Sequence, residues 1–351
     1  TETEFVPDII HCHDHHSGLI PFMVQFCFQY YRLKNVPTVI TIHNGQYQGW
    51  FGWDKLHYLP EFHYQSLGYL QWDNIINPLA CAIKCAWKVT TVSNSYLDEL
   101  SEKCNGLENL LKFERYKSIG ILNGIDQEIW NPETDEMLDN HYNYKSFAKG
   151  KAANKKWICE QFDLDFNKPL FCFIGRLVDE KGADLLPQIF YNSLREHYKG
   201  INILMLGSGA TFIENQLESL KHHFHGNYNT YIGYNEKLAH LIYAASDFIL
   251  MPSRVEPCGL NQMYAMRYGT IPIVRRIGGL KDTLIDIGDG GFGICHDQAS
   301  VWDVNHAISR AKNMYENKEL MKKNAPRIML INHSWENVAQ TYVEVYRQLV
   351  D

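Results

Sequence analysis

A chain of 351 residues is long enough for two ordinary domains, each with its own core. Hydrophobic residues make up 45% and charged residues 21%, and the formal net charge of −7 excludes the general basic face that nucleic acid requires. No run of about 18 apolar residues is present, which excludes a membrane-spanning helix.

The chain opens on Thr1-Glu2-Thr3-Glu4, without a targeting segment, and runs into a strand-like stretch, Asp8–Cys12. Further β-rich runs follow at Thr38–Ile42, Lys88–Val92, Leu170–Ile174, Asn202–Leu206, Asp247–Met251 and Thr270–Val274. Each is followed by a polar or glycine-bearing turn and a helical pattern, which predicts parallel sheets with crossover helices. Ligands of such sheets bind at the carboxyl ends of the strands, so the turns after the strands are where chemistry is expected. Residues 131–168, from the turn Asn131-Pro132-Glu133-Thr134-Asp135 through a lysine-rich helix to Pro169, read as a linker. The expected organisation is a first domain over 1–165, a second over 166–333, and a final helix over 334–351. That helix carries Val338, Tyr342, Val345 and Leu349 at helical spacing. Nine cysteines without a repeated spacing argue for a reducing compartment, and Cys81 and Cys85 read as buried thiols on one helix face.

Four segments have chemical potential. In His11-Cys12-His13-Asp14-His15-His16-Ser17, a strand end is crowded with imidazoles. Three readings stand: a metal site, a polar cap on a strand-to-helix turn, or a substrate site in which an imidazole hydrogen-bonds a hydroxyl. Neighbouring strand residues point to opposite faces, so only alternate ones can converge. Arg176 and Lys181 follow a strand and precede a helical pattern over Ala183–Tyr191. Two cations there, with a helix N-terminus, suit a diphosphate; a solvated basic turn is the plain alternative. Gly207-Ser208-Gly209 lets backbone approach a nucleotide, and Gly278-Gly279 offers a second backbone nest. Glu256 precedes Pro257, which keeps it out of helical geometry; it reads as a sugar-binding carboxylate or as an acidic helix cap. Between Tyr47 and Trp72, the density of aromatic residues suits sugar rings, although packing explains any one of them. Asp163-Leu164-Asp165 precedes a strand and reads as a loop, not as a metal-binding pair.

In this order the motifs resemble those of the glycogen and starch synthases, over essentially the whole chain. His13-Asp14-His15-His16-Ser17-Gly18-Leu19 is similar to the family's His-Asp-Trp-His-x-Gly-Leu, with His15 at the usual aromatic position. Thr41-Ile42-His43-Asn44 with Tyr47-Gln48-Gly49, Asn123-Gly124-Ile125-Asp126, Glu256-Pro257-Cys258-Gly259-Leu260 and Arg275-Arg276-x-Gly-Gly-Leu280 complete the set. Tyr264 stands eight residues after Glu256, where many two-domain glycosyltransferases have a second glutamate; tyrosine resembles the glycogen and starch synthases.

The resemblance implies an α/β protein of two Rossmann-like domains facing across a cleft, the GT-B type. It implies transfer of glucose from ADP-glucose, with UDP-glucose the alternative donor, to an α-1,4-glucan with retention of configuration. His16, Arg176, Lys181 and Glu256 are the implied catalytic residues. The implied substrate-binding residues are Asn123, Gly207, Tyr234, Cys258, Gly259, Leu260, Asn261, His43, Asn44 and Tyr47, with Tyr234 stacking on the base. No metal or other cofactor, nucleic acid or membrane is expected, and the implied location is the cytoplasm, or a plastid for a plant or algal chain. Asn261 departs from the threonine frequent in bacterial members. The family's opening strand and Lys-x-Gly-Gly-Leu loop have no counterpart before Asp8, so the first domain reads as incomplete and less stable alone. The alternative functional reading is a non-catalytic glucan-binding or regulatory homologue.

Overall fold

The computed structural model describes residues 5–198 and 200–350. They form two compact units, one of residues up to Asn123 together with Glu336 onward, the other spanning Gly124–Trp335.

In the first unit β1 (Ile10–His13), β2 (Thr38–Ile42), β5 (Lys88–Thr91) and β6 (Ser118–Gly120) form a parallel sheet in the order β1-β2-β5-β6. A two-stranded hairpin, β3 (Gln71–Trp72) and β4 (Ile75–Ile76), lies beside it in sequence. All five residues of β2 are buried. Buried hydroxyls between β2 and β5 are paired: Thr41 Oγ1 lies 2.5 Å from Thr90 Oγ1, and Thr91 donates to the Ile42 carbonyl at 2.7 Å. The helix Pro78–Cys85 starts on a proline preorganised for the first turn, and the Asn77 side chain caps it by accepting from the Ala80 amide at 3.0 Å. Cys81 and Cys85 are buried on it, as expected. The helix Trp335–Val350 buries Val338 and Val345 against Ile121, so the chain's last helix belongs to this core.

The second unit holds β7 (Leu170–Leu177), β8 (Asn202–Gly209), β9 (Tyr228–Ile232), β10 (Phe248–Met251), β11 (Ile271–Arg275) and β12 (Ile294–His296). All pair in parallel in the order β12-β11-β10-β7-β8-β9. The chain starts at the centre, winds outward through β9, then returns to build the other half. This doubly wound order puts the topological switch point between β7 and β10.

Two strands run further than their apolar patterns suggest. β7 continues through Leu177 and β8 through Gly209, because their ladder to each other persists to Leu177↔Gly209. Arg176 and Gly207 therefore sit on strands, not in the turns after them. The helix expected from Ala183 begins at Leu186, after two short 3₁₀ turns, Asp179–Lys181 and Ala183–Leu185. No α-helical N-terminus directly follows Lys181, and its dipole is not part of that site.

The segment before Pro169, read from the sequence as a linker closing the first domain, folds with the second unit. Its helix Phe147–Gln161 is tied there by Lys155, whose ammonium lies 2.8 Å from Asp247 Oδ2. The same oxygen accepts from the Leu170 amide at the start of β7. Asp165 Oδ1 accepts from the Asn167 amide at 3.0 Å, which makes Asp163-Leu164-Asp165 a local turn.

Candidate active site

At the switch point, two adjoining hollows of about 210 and about 240 Å³ open at the carboxyl ends of the strands. Ile174, Gly175, Arg176 and Asn261 line both. The first is completed by Lys181, Ser253, Glu256 and Leu260 among others, the second by Gly207, Ser208, Tyr234 and Asn235. Together they reach the ~300–1,000 Å³ typical of small-ligand sites.

Within the first hollow, Lys181 Nζ lies 2.7 Å from each carboxylate oxygen of Glu256. Glu256 is buried, with a side-chain exposure of 6%, and Ser253 donates a hydrogen bond to its Oε2 at 2.9 Å. The helix Asn261–Arg267 starts five residues later, so Glu256 does not cap it. Lys181 keeps 27% exposure, so part of the ammonium faces the hollow. Arg176 projects from β7 at 67% exposure and lies 3.7 Å from Glu180. A buried carboxylate, a half-shielded ammonium and an exposed guanidinium thus converge on one surface.

The remaining expected residues divide. Asn261 donates from Nδ2 to the Ile174 carbonyl at 2.7 Å, fixing the start of its helix against β7. Tyr234 is 84% exposed at the rim, a free aromatic face. Gly207 is required by strand packing as well as by any ligand, since a Cβ there would lie 2.1 Å from the Gly175 carbonyl. Cys258 and Gly259 line neither hollow; their carbonyls accept from the buried Gln262 amide at 3.2 and 2.9 Å. The Gly278-Gly279 nest expected from the sequence is closed. The Gly279 amide donates to the carbonyls of Glu256 and Pro257, both at 3.1 Å, bracing the glutamate loop.

In the first unit, the chain reverses at Asp14 (φ 52°), a strained conformation for a non-glycine residue. Asp14 is held by its carboxylate, which accepts from the His43 amide at 2.7 Å, and by its own amide, which donates to Thr41. Ser17 closes the turn, accepting from the His13 amide and donating to the His13 carbonyl. His16 emerges exposed, its ring 3.8 Å from that of His15, and His15 Nδ1 lies 3.1 Å from the Tyr47 carbonyl. His15 thus packs between the His16 ring and the Tyr47 backbone. His43 contacts His13 at 3.0 Å, Asn44 Oδ1 accepts from the Gln46 amide, and Tyr47 is more than half exposed. Asn123 lies half-buried just beyond β6.

Of the strand-end imidazoles, His11 is committed on both ring nitrogens to protein partners. His11 places Nδ1 2.6 Å from the Tyr346 hydroxyl and Nε2 2.7 Å from Thr41 Oγ1. Burial, with the neighbouring His13 and His43, lowers its pKa to about 4. Among the described residues no three His, Cys, Asp or Glu side chains group as a metal ligand set. The aromatic segment also splits: Phe51, Trp53 and Phe62 pack on the core around Phe22 and Ile76, whereas Tyr58 and Tyr64 are exposed.

Sequence reasoning missed three supporting elements. Ser253 and Arg254 brace the loops that hold Lys181 and Glu256, and their positions beside Glu256 were the available signal. The third is a ring stack: Trp130 lies between His240 (centroids 3.9 Å apart) and Tyr264 (3.8 Å). The Asp135 carboxylate, 2.7 Å from His240 Nδ1, anchors the stack. Size alone also misleads. A hollow of about 450 Å³ lies at the opposite, amino end of the second sheet, lined partly by Lys151 and Lys155. Lys151 already donates to the Tyr243 and Tyr268 carbonyls and to Thr270, and Lys155 pairs with Asp247.

Two Rossmann-like units, each built on a parallel sheet, with cations and a buried glutamate at the switch point of the second, define a glycosyltransferase of the GT-B type. Residues 1–113 match the starch synthase catalytic domain and residues 156–328 match glycosyl transferases group 1. A glycogen synthase from Flavobacterium johnsoniae is 61% identical over 345 residues, covering 98% of this chain and 73% of that protein. One from Treponema denticola is 37% identical over 362 residues, covering 99% and 72%. The solved catalytic domain of starch synthase IV from Arabidopsis thaliana, bound to ADP and acarbose, is similar with a TM-score of 0.88 at 35% identity, covering 98% of this chain and 73% of that one. The chain belongs to the glycogen/starch synthase family, whose members use a nucleotide-sugar donor. Among the described residues no helix is long and apolar enough to cross a membrane.

Proposed function

We propose that this glycosyltransferase moves glucose from ADP-glucose to the 4-hydroxyl at the non-reducing end of an α-1,4-glucan, retaining the α configuration. The observation that carries the reading is the Lys181–Glu256–Arg176 cluster at the switch point of the second sheet. The ADP and acarbose held by the Arabidopsis starch synthase domain support the same donor and a glucan-like acceptor.

Breaking the glycosidic bond of the donor puts negative charge on the diphosphate and positive charge on the sugar ring. Arg176 and Lys181 stabilise the first with preorganised charge. Glu256, held in place by Lys181 and Ser253, accepts hydrogen bonds from sugar hydroxyls and balances the second. Tyr234 stacks on the base, while Gly207 and Asn261 shape the trough that holds the nucleotide. Cys258, Gly259 and Leu260 set the loop beside Glu256. In the first unit, His16 binds the transferred glucose with Asn123, and His43, Asn44 and Tyr47 serve the glucan. A double displacement needs a carboxylate beside the anomeric carbon. Asp14 is the nearest carboxylate to His16 in sequence, and it is committed to the His43 amide. Front-face attack, with the leaving phosphate taking the acceptor proton, is therefore the step we favour. The division of labour is a first unit, residues up to Asn123 with Glu336 onward, for the acceptor, and a second unit, Gly124–Trp335, for the donor. The bacterial relatives support a cytoplasmic enzyme.

The test is incorporation of labelled glucose into glycogen from ADP-glucose and UDP-glucose side by side, with and without EDTA. Incorporation from ADP-glucose that survives EDTA and disappears in Lys181→Ala is the expected result. Incorporation from UDP-glucose alone would correct the donor; none from either donor would favour a non-catalytic glucan-binding protein.

A further inference from the structure

Arg254 lines neither hollow, yet it joins the two loops that supply the catalytic pair. Its guanidinium grips the Lys181 loop at two places. Nη1 donates to the Asp179 carbonyl at 3.0 Å and to Asp179 Oδ1 at 2.9 Å. Nη1 and Nη2 together clamp the Asp184 carboxylate in fork geometry, Nη2 at 2.8 Å from Oδ2. The Arg254 and Val255 amides both donate to the Glu180 carbonyl, at 2.8 and 3.1 Å. The Arg254 carbonyl is held in turn by Arg275 Nη1 at 3.2 Å.

Asp184 follows Lys181 by three residues, and Arg254 precedes Glu256 by two. The same two loops are therefore bridged twice, by Lys181–Glu256 inside the hollow and by Arg254–Asp184 outside it. Gly182 lets the loops approach: its φ is +67°, and a Cβ there would lie 2.4 Å from the Pro252 carbonyl. The Arg254 hydrogen bond holds the Asp184 carboxyl below the usual carboxylate range, so the clamp remains charged at neutral pH.

We propose that Arg254 is a positioning residue for glucosyl transfer, its fork on Asp184 and Asp179 setting the distance between Lys181 and Glu256. The inference rests on the donor reading given above. A lysine cannot replace it, because one ammonium does not span a carboxylate and a carbonyl in the same plane. Misplacing a catalytic group by about 1 Å costs on the order of 10²-fold in rate.

The experiment is a double-mutant cycle of Arg254→Ala and Lys181→Ala, read on kcat and on ADP affinity by calorimetry, with thermal midpoints measured in parallel. Arg254→Ala should lower kcat on the order of 10²-fold and weaken ADP binding, with Arg254→Lys no better. In the Lys181→Ala background, removing Arg254 should cost far less, because the group it positions is gone. Asp184→Asn should repeat the pattern more weakly, and it decides by the same criteria if Arg254→Ala does not fold. A kcat within about twofold of wild type, losses that multiply across the cycle, or losses that track the thermal midpoint would each overturn the inference. A wild-type chain that neither binds ADP nor transfers glucose would overturn the donor reading and this inference with it.

Discussion

Lys181 and Glu256 form a bidentate ion pair in the hollow at the switch point of the second sheet, the ammonium 2.7 Å from both carboxylate oxygens. Because each partner neutralises the other, removing either leaves a poorly solvated charge as well as deleting a group proposed to act in transfer. Lys181→Ala and Glu256→Gln should each reduce kcat by roughly 10²–10³. The double variant should lose far less than the product of the two, and steady-state kinetics on the four proteins checks this.

His16 stands on the ring of His15. His16→Ala should abolish most transfer while leaving ADP affinity intact, since His16 lies in the first unit and the hollow proposed for the nucleotide in the second. His15→Phe should retain activity and His15→Ala should lose part of it, because what His15 supplies is a flat support. Glucose incorporation paired with ADP calorimetry separates these outcomes.

Tyr234 exposes nearly its whole ring at the trough rim. Stacking of an aromatic ring on a base contributes about 1–3 kcal/mol. Tyr234→Ala should therefore raise the donor KM roughly tenfold or more with a small change in kcat, and Tyr234→Phe should restore it. A KM unchanged in the alanine variant would remove Tyr234 from the base site.

Burial holds His11 neutral, with a pKa lowered from 6.5 to about 4. The unfolded chain binds this proton more readily than the folded one. Stability from His11 is thus complete above pH 6.5 and is lost as pH falls towards 4. His11→Gln should flatten that part of the profile. Urea midpoints of wild type and variant between pH 7 and pH 4, taken as a difference curve, would show it.

Tyr264 explains its own departure from glutamate: its ring closes one face of the Trp130 stack. Tyr264→Glu removes an aromatic contact and brings a carboxylate against two rings. The expected cost is about 1–3 kcal/mol of stability in the second unit. Trp130 should report it through altered fluorescence and a lower thermal midpoint.

The alternation of β-rich and helical runs was legible because fully buried strands such as Phe248–Met251 carry unbroken apolar sequence. Strand ends were not. β7 and β8 extend through Leu177 and Gly209 by pairing with one another, which no local pattern encodes. Lys181 and Glu256 were both singled out, but their mutual contact spans 75 residues and is set by the sheet order. The Gly278-Gly279 nest was misread because a glycine pair looks the same whether its amides await a phosphate or brace a neighbouring loop. Phe147–Gln161 read as a linker because its lysines look solvated; Lys155 is buried on an aspartate 92 residues away.

All nine cysteines are buried and none is in a disulfide, Cys12, Cys27, Cys81, Cys85 and Cys104 in the first unit and Cys159, Cys172, Cys258 and Cys295 in the second. Burial also pushes several of these thiols up, Cys27 to about 11 and Cys104 to about 12, so little reactive thiolate is present. A thiol reagent therefore meets its target only when a unit opens. Mass spectrometry of partly labelled chains would act as a stopwatch on each unit separately, timing breathing motions that enzyme turnover never registers.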